Sequence, residues 1–390
     1  MKGRIPQLDL LRGIAVLLVL FVHYPYFKIF ELGWVGVDLF FVLSGFLISG
    51  LLFTDWKHNG SICLLRFFIR RGFKIYPPFY FFLFTMVPAM VLLPLDLKNH
   101  LASKLFAEVF FLQDYRPHLW LHTWSLAVEE QFYILLPLVL VAIARLRKSF
   151  AIVPALSILL MAVCFALRER AMYAHFHYAA LLDSGVPFSA LHFRADALFA
   201  GVALGYVFHF RSNVFHEMSR WWLLPLGLLL LIPLFLLRYL IYLPCVLTCN
   251  TLAFVCLLWW IMPRERIRVR WIEWVGTYSY SIYLWHLPFM IFFRPLGSHL
   301  VWFALYLAAS IGMGYYMSTF VEIRALWARD KYFPSTHPVE HPATRWEGNG
   351  PSRSLLSVPL ESTKAQTTAP LGFMSRSSIT SASEPAMTSD

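Results

Sequence analysis

Charged side chains are scarce in this chain: they make up 14 % of its 390 residues, whereas 59 % of the residues are hydrophobic and 17 % are aromatic. A soluble domain is about 45–50 % apolar and about 25 % charged. The composition therefore excludes an ordinary soluble protein and predicts an integral membrane protein. The formal net charge of +11 does not indicate a nucleic-acid partner, because the Lys and Arg residues cluster in short linkers instead of forming one basic surface.

Cysteine is also scarce, and its spacing excludes a common class of site. The five cysteines lack the paired CxxC spacing of a zinc site, and most of them lie within apolar runs. We interpret them as core residues and expect no metal and no resident cofactor. The N-terminal apolar run has no small-residue cleavage site after it, so it predicts a retained helix instead of a signal peptide.

Long apolar runs are what the chain has in abundance. A membrane-spanning helix needs about 20 mostly apolar residues, and ten windows of this kind predict an all-α, polytopic membrane protein. The windows are 8–26, 35–54, 76–95, 122–144, 150–167, 190–210, 221–237, 240–262, 272–293 and 300–321. A shorter amphipathic segment at 104–115 indicates an interfacial or re-entrant piece.

Strongly basic linkers alternate with less basic ones along the chain. They lie at 57–75, 145–148, 211–220 and 264–270. Basic linkers tend to stay in the cytoplasm, so we expect both termini to be cytoplasmic and His23 to lie toward the far leaflet.

After about residue 330 the composition changes to Ser, Thr, Pro, Ala and Gly, with few large apolar residues. Such a segment cannot bury enough apolar surface to fold. The sequence thus predicts a membrane-embedded domain at 1–330 and a disordered cytoplasmic C-terminal tail at 331–390.

The first span carries polar residues that a bilayer does not favour. A charged residue at the centre of a span costs about 2.5–3.5 kcal/mol on insertion scales and usually faces a protein interior or a water-filled path. Arg12 and His23 are eleven residues apart, which at about 100° per residue places them on one helix face, about 16 Å apart along the axis. An anion held by Arg12 could therefore reach His23. The alternatives are a pair between Asp9 and Arg12 at the interface, and a His23 satisfied by a backbone carbonyl.

A tight basic group formed by Arg70, Arg71 and Lys74 stands just before the third span. Arg binds phosphate through bidentate hydrogen bonds, and Lys binds it as a point charge. The group therefore suits a phosphate-bearing ligand. The alternative is the ordinary excess of basic residues on the cytoplasmic side.

Polar residues also open the second and fourth spans. Packing does not readily explain Asp38 and Ser44, although Asp38 near a helix start also suits the positive end of the helix dipole. Glu129 and Glu130 need partners or an elevated pKa at a bilayer boundary. Because they point about 100° apart on a helix, we expect at most one of them to face a given cavity.

The remaining candidates each have a structural alternative. Trp124 and Tyr133 are either functional or part of an aromatic belt. Arg194 and Asp196 are two residues apart and do not face each other on a helix, so each needs a partner elsewhere. His286, in a Tyr-rich span, is either functional or a core histidine with satisfied hydrogen bonds.

Six phrases of the sequence, taken together, carry a resemblance. Over residues 5–322 the chain resembles the acyltransferase type 3 family of integral-membrane O-acyltransferases, which modify bacterial surface polysaccharides. One such phrase would be weak evidence, whereas six in the family's order are specific. The phrases are LDLLRGIAVLLVLFVH, GVDLFFVLSGFLIS, RRGFKIYP, WSLAVEEQFYILLP, FRADALFAG and GTYSYSIYLWH.

The resemblance implies a ten-helix fold in the bacterial inner membrane, in contact with lipid. It implies an acyl-CoA as the cytoplasmic donor and a hydroxyl of a cell-surface or exported carbohydrate, or of a glycolipid, as the acceptor. Acetyl is the expected acyl group. Some members of the family carry an added helix and an extracytoplasmic esterase-like domain. We expect this chain to be a stand-alone member whose partner for such a step would be another chain.

The resemblance also implies roles for individual residues. Arg12 and His23 match the Arg and His of the family's first helix, which are regarded as essential. Arg71 and Lys74 match its cytoplasmic basic pair, with a Lys that keeps the charge but lacks the guanidinium fork. Glu129 matches the Glu of the fourth-span phrase. The further functional candidates are Asp38, Ser44, Trp124, Ser125, Tyr133, Arg194, Asp196 and His286.

A mechanism follows from these implied roles. Acyl transfer from a thioester to a hydroxyl needs a base and a route that excludes water. We expect His23 to be that base, because an imidazole pKa of about 6.5 suits neutral pH, or to carry the acyl group covalently. In this hypothesis Glu129 orients or charge-balances the imidazole. Arg12, Arg71 and Lys74 hold the phosphates of the donor.

Two other classes of function stay open. Intramembrane Arg, Asp, Glu and His also mark transport routes, so a transporter or flippase of a lipid-linked sugar or small molecule is the main alternative. A peripheral assembly role, with basic loops bound to anionic lipid, leaves His23 and Glu129 unexplained. The sequence does not select among an O-antigen sugar, an exported glucan, peptidoglycan and a secreted glycoside or macrolide as acceptor. It selects neither the acyl length nor the oligomeric state.

Overall fold

The computed structural model describes residues 5–24, 32–92, 100–178, 189–236, 243–297 and 299–334. Over these ranges the chain forms helices joined by turns, with no β-strand, which confirms the all-α prediction. The helices are α1 (Pro6–Val22), α2 (Val35–Asn59), α3 (Leu64–Leu92), α4 (Leu101–Val109), α5 (Trp124–Arg147), α6 (Val153–Tyr178), α7 (Leu191–Phe210), α8 (Ser212–Met218), α9 (Leu223–Leu230), α10 (Ile232–Leu236), α11 (Leu243–Ile261), α12 (Arg270–Thr277), α13 (Ser279–Phe293), α14 (Leu300–Met317) and α15 (Ile323–Tyr332).

Fewer helices qualify as spans than the ten windows predicted. Five helical stretches in the described ranges are long and apolar enough to cross a membrane. A sixth arises if Ser212–Met218 and Leu223–Phe235, which meet at 77°, form one broken span. Ten spans and the cytoplasmic placement of both termini stay predictions. The five stretches are Leu32–Asn59, Trp124–Arg147, Leu191–Phe210, Pro244–Ile261 and Leu300–Tyr332.

Two of the predicted windows show why the structure has fewer candidate spans than the sequence predicted. The first window forms α1, which has only 17 residues, shorter than the roughly 20 that a typical span needs. The window 272–293 does not form one helix, because Tyr278, with φ −104° and ψ 9°, divides it into α12 and α13. An apolar window therefore does not by itself predict one continuous helix long enough to span.

Most of the linker predicted at 57–75 is helical. Helix α2 continues to Asn59 and stops at Gly60, whose φ of 66° suits a glycine at a helix end. Helix α3 already begins at Leu64 and runs on through internal prolines. The apolar side chains among the basic ones, such as Phe67, pack against the core, so burial keeps the basic stretch helical.

Small residues bring two pairs of helices into backbone contact. A Cβ atom at Gly45 of α2 would collide with the carbonyl oxygen of Leu198 in α7, and one at Gly201 of α7 would collide with that of Val42 in α2. Between α1 and α12, a Cβ at Gly276 would likewise collide with the backbone of Asp9. Close approach at small residues is a usual basis of helix packing in membranes. Here it places α1 beside α12 and α2 beside α7.

Two buried ion pairs join α2, α6 and α7, and we call them the ion-pair network. Arg194 of α7 pairs with Asp38 of α2, and Arg168 of α6 pairs with Asp196 of α7 at 2.8 Å. Arg168 also donates to the Thr248 hydroxyl of α11 at 2.7 Å. The expectation that Arg194 and Asp196 have separate partners is confirmed. The partner of Asp196 was not anticipated from the sequence.

Two predicted features lie outside the described residues. The tail predicted at 331–390 is described only as far as residue 334, and the junction between the windows 221–237 and 240–262 is not described at all. The tail and the boundary of the membrane-embedded domain therefore stay predictions.

Candidate active site

Two adjoining cavities lie among α1, α2, α3, α5 and α13. The basic cavity has about 350 Å³ of empty space, including its part open to solvent, and is lined by Arg12, Arg71, Lys74, Ile75, Leu126, Glu129, Glu130, Tyr133 and Tyr280. The tyrosine cavity has about 440 Å³, measured in the same way, and is lined by Arg12, Val37, Phe40, Phe41, Ser44, Ser125, Leu126, Glu129, Ser279, Tyr280 and Tyr283. Four of these residues line both cavities, so the two cavities are direct neighbours.

Two arginines supply the positive charge of the basic cavity. The Nε atoms of Arg12 and Arg71 are buried and make no hydrogen bond, and the guanidinium of Arg71 lies 4.0 Å from the centre of the Tyr133 ring. Among the described residues, neither arginine forms an ion pair, so the proposed pair between Asp9 and Arg12 is not seen. Arg70, by contrast, does not line the cavity and lies 3.2 Å from Asp330. The structure therefore separates Arg70 from the basic group to which the sequence assigned it.

Lys74 lines the same cavity but already has a partner. Its ammonium group pairs with Glu322, whose second oxygen accepts hydrogen bonds from Ser281 at 2.9 Å and Ser318 at 3.1 Å. Glu322 ends a π-helical turn, Ser318–Glu322, a local geometry that is frequent at functional sites. Lys74 is thus a less available cation than Arg12 or Arg71.

The expectation that at most one of Glu129 and Glu130 faces a given cavity is wrong, because both line the basic cavity. The cavity faces a broad arc of α5 that includes both positions. Glu129 accepts hydrogen bonds from Ser44 at 2.6 Å and from Tyr133 at 2.8 Å. Glu130 accepts one from the Tyr76 hydroxyl at 3.1 Å. Two carboxylates therefore share the cavity with the two unpaired arginines.

Three histidines from three separate elements form a histidine cluster next to the tyrosine cavity. The ring centre of His286 lies 4.8 Å from that of His23 and 5.0 Å from that of His122. Tyr283, which lines the cavity, has its ring 5.4 Å from His122 and 5.6 Å from His286. The candidates His23 and His286 are thus brought together, and His122 is added to them.

Backbone carbonyls determine which nitrogen of each histidine is basic. Nδ1 of His23 lies 2.8 Å from the oxygen of Val19, and Nδ1 of His286 lies 2.5 Å from the oxygen of Tyr283. Nε2 of His122 lies 3.1 Å from the oxygen of Leu284. A carbonyl oxygen only accepts, so each of these nitrogens carries the hydrogen of a neutral ring. The free lone pairs are therefore on Nε2 of His23, Nε2 of His286 and Nδ1 of His122.

Tyr283 couples the tyrosine cavity to the histidine cluster. Its hydroxyl donates to the backbone oxygen of His122 at 2.8 Å and lies 2.6 Å from the hydroxyl of Ser125. Trp124 instead faces the ion-pair network, with its ring 5.5 Å from the guanidinium carbon of Arg194. Ser125 is therefore part of the cavity wall, whereas Trp124 lies toward the structural charges.

Glu129 and His23 are not brought together by any contact among the described residues. The hydrogen bonds of Glu129 go to Ser44 and Tyr133, and the hydrogen bond of His23 goes to Val19. The orientation of the His23 ring is therefore determined by a backbone carbonyl. Glu129 belongs to the cavity that Arg12 lines.

Glu108, which the sequence did not single out, holds the loop that carries His122. One of its oxygens accepts hydrogen bonds from the backbone of Leu119 and Trp120 and from the Thr123 hydroxyl, at 2.8–3.2 Å. Helix α4, which carries Glu108, has nine residues and is too short to span, as predicted for the segment 104–115. Burial raises the pKa of this carboxyl to about 7. A lone carboxylate in an apolar amphipathic segment was the signal that could have found it.

Comparison with known proteins gives a family and two long matches. A family model described as an acyltransferase domain matches residues 5–319. The peptidoglycan O-acetyltransferase OatA of Listeria monocytogenes is 30 % identical over 320 residues, which are 75 % of this chain and 50 % of OatA. The putative peptidoglycan O-acetyltransferase YrhL of Bacillus subtilis is 28 % identical over 333 residues, which are 76 % of this chain and 51 % of YrhL.

The coverage of these relatives is partial. The chain spans about half the length of the two curated relatives that it matches over most of its own length. No solved structure matches it. The match to the family model covers the ranges that form both cavities and the histidine cluster.

Proposed function

The chain belongs to the acyltransferase-domain family, and from this premise we propose that it moves an acetyl group from a cytoplasmic acyl-CoA to a hydroxyl of a cell-wall carbohydrate. The observation that carries the proposal is a pair of adjoining cavities: Arg12 and Arg71 line the first, and Tyr283 of the second contacts the histidine cluster. The phosphates of the donor occupy the arginine end of this arrangement, and acyl transfer takes place at its histidine end.

The arginine end suits the anionic part of the donor. Arg12 and Arg71 both line the basic cavity, and their buried Nε atoms have no hydrogen-bond partner. Glu129 and Glu130 share this cavity, but among the described residues no carboxylate lies at ion-pair distance from either guanidinium, and a guanidinium is suited to bidentate hydrogen bonds with phosphate. An acyl-CoA supplies phosphates for this end and a thioester on a long, flexible arm for the other.

The histidine end supplies the chemistry. Nε2 of His23 carries the free lone pair of a half-buried ring. This nitrogen acts either as the base for the acceptor hydroxyl or as the nucleophile that accepts the acyl group. The tyrosine cavity lies between the arginines and the histidine cluster, with Ser44, Ser125 and Tyr283 in its wall. We place the acyl end of the donor there, while its phosphates stay at the arginines.

The names of the relatives support a cell-wall carbohydrate as the acceptor, and we propose the bacterial inner membrane as the location of this chain. Both long matches are named for O-acetylation of peptidoglycan, so a peptidoglycan sugar is the acceptor that we propose. Lipopolysaccharide sugars, secreted glycosides and macrolides are the competing acceptors. A flippase of a lipid-linked sugar is the competing function, and it would move its substrate without consuming thioester.

An assay in proteoliposomes tests the proposal. The purified chain receives labelled acetyl-CoA on one side and a peptidoglycan precursor or muropeptide on the other, and label in the glycan is measured. We expect transfer by the wild type, its loss in His23→Ala, and its retention in His192→Ala, whose ring contacts Tyr115 away from the cluster. Translocation of the precursor without thioester cleavage would support the flippase instead.

A further inference from the structure

The histidine cluster contains more basic nitrogens than the proposed function needs. We propose that His286 is the general base that takes the proton of the acceptor hydroxyl, while His23 carries the acyl group. This assignment rests on the proposed function and divides its chemistry between two imidazoles. It also selects the covalent mechanism for His23 over the general-base mechanism.

The environment of His286 leaves one ring nitrogen without a partner. The side chain is fully buried, Nδ1 donates to the backbone oxygen of Tyr283, and Nε2 is buried without any hydrogen-bond partner. A buried polar atom without a partner is costly and rare in folded proteins. A nitrogen lone pair kept unpaired next to a reactive histidine is explained if it receives a proton during the reaction.

His23 cannot act as the base for the acceptor hydroxyl once it is acylated. Its Nδ1 already donates to the oxygen of Val19, so the acyl group must be on Nε2, the only nitrogen with a free lone pair. An acylated Nε2 has no lone pair left to accept a proton. The deacylation step therefore needs a second base close to His23, and the ring of His286, with its centre 4.8 Å away, is that neighbour.

The steps balance with the acyl-CoA and the hydroxyl acceptor as the sole reactants. Nε2 of His23 attacks the thioester carbonyl, the C–S bond breaks, and the coenzyme leaves as a thiolate. The acceptor oxygen then attacks the acyl carbon, the N–C bond to His23 breaks, and the hydroxyl proton passes to Nε2 of His286. The proton finally returns to solvent and balances protonation of the thiolate, so neither an oxidant nor a reductant is required.

The titratable groups that face His286 support this direction of proton flow. Its ring contacts His23, His122 and Tyr283. Tyr283 donates its hydroxyl hydrogen to the backbone oxygen of His122, so it does not compete for the acceptor proton. His122, in the turn before α5, keeps Nε2 hydrogen-bonded to the backbone oxygen of Leu284, and its Nδ1 is buried without a partner.

The test separates the two half-reactions. Exchange of label between acetyl-CoA and free coenzyme A, without acceptor, reports formation of acyl-His23, and label in the glycan reports the complete reaction. In His286→Gln we expect exchange close to the wild-type rate, and we expect transfer to fall by about 100-fold or more, the usual contribution of a general base. In the same variant, mass spectrometry should find acetyl-enzyme accumulating. His192→Gln is the matched control and should leave both reactions unchanged.

Each other outcome has a definite meaning. Loss of both half-reactions in a folded His286→Gln, or retention of both, overturns the assignment. If the wild type transfers acetyl to the glycan but shows no exchange, the assignment of His286 is overturned and the proposed function stands. If the wild type shows neither exchange nor transfer, the proposed function itself is rejected. If neither His286→Gln nor His286→Asn folds, the pH profiles of the wild-type exchange and transfer rates decide. Transfer should require one more neutral imidazole than exchange. Identical pH profiles for the two rates would overturn the proposal.

Discussion

Arg168 and Arg194 of the ion-pair network and Arg12 and Arg71 of the basic cavity are the same residue type in the same membrane-embedded domain, yet their surroundings differ. Each network arginine contacts an aspartate on another helix. The two cavity arginines line a cavity that Glu129 and Glu130 also line, but among the described residues neither contacts a carboxylate at ion-pair distance. The first pair joins helices, whereas the second pair lines a cavity.

The difference shows that a charge within a span does not by itself indicate a functional site. Desolvation makes every such charge costly, and a partner of opposite sign is one way to offset that cost. Where an aspartate supplies the partner, the pair determines which helices meet. Where no partner lies at ion-pair distance and a cavity is present, as at Arg12 and Arg71, we propose an anionic ligand as the partner.

The largest expected effect is on the ion-pair network. Arg194→Ala leaves Asp38 buried and uncompensated, and we expect it to lower the free energy of unfolding by about 3–5 kcal/mol. Thermal unfolding in detergent measures this change. The double variant Arg194→Met with Asp38→Leu should recover most of the loss, because an apolar pair needs no counter-charge.

The control for this prediction is Arg211→Ala, which alters an exposed arginine just beyond the end of α7. It should leave the unfolding temperature unchanged. If Arg194→Ala retained wild-type stability but lost acetyl transfer, Arg194 would belong with the cavity arginines and the comparison would fail.

The next effect in size is on donor binding at the basic cavity. Arg71→Gln removes a guanidinium that faces the cavity. A hydrogen bond to a charged group is worth about 1.5–3 kcal/mol, so we expect the KM for acetyl-CoA to rise by about 10- to 100-fold. The unfolding temperature should change little, because no ion pair is lost. Initial rates of acetyl transfer at varied acetyl-CoA give the KM.

Arg70 provides a matched control in the adjacent position. It contacts Asp330 and the backbone of Phe333 instead of the cavity, so Arg70→Gln should leave the KM for acetyl-CoA unchanged. Equal effects of Arg70→Gln and Arg71→Gln would mean that the charge of the segment matters and that the cavity does not.

The smallest effect is expected at Lys74, which lines the basic cavity but, like the arginines of the ion-pair network, already has a carboxylate partner. Because Lys74 already pairs with Glu322, Lys74→Met should raise the KM for acetyl-CoA only a few fold. Glu322→Gln removes the competing carboxylate and should lower that KM. If Lys74→Met raised the KM for acetyl-CoA as much as Arg71→Gln does, Lys74 would have to leave Glu322 when the donor binds.

The polar residues of the site were largely predictable from the sequence, because charge and imidazole stand out in apolar runs. Arg12, His23, Glu129 and Arg71 were all candidates, and all but His23 line the two cavities. His122 and Glu108 were missed because they lie at a span boundary and in a short amphipathic helix, where polar residues are common. Their significance depends on the elements that they contact.

Relations between elements were not predictable to the same extent. Glu129 was expected near His23, whereas its hydrogen bonds join α5 to Ser44 of α2. Lys74 was expected to be free for a phosphate, whereas the π-helical turn before α15 brings Glu322 to it. Helix geometry specifies which residues share a face, but the neighbour of that face is determined by packing between helices that are distant in sequence.

The sequence by itself determined that this is an all-α membrane protein of the acyltransferase-domain family and which polar residues its spans carry, because both follow from composition, period and motif along the chain. Only the tertiary structure decided which of those residues are partnered, which line the two cavities, and which histidines meet. The physical reason is that partnership inside a membrane protein depends on contacts between separate helices. Here such contacts require glycine backbones to touch, as at Gly45 and Gly201, before a charged side chain can reach its partner.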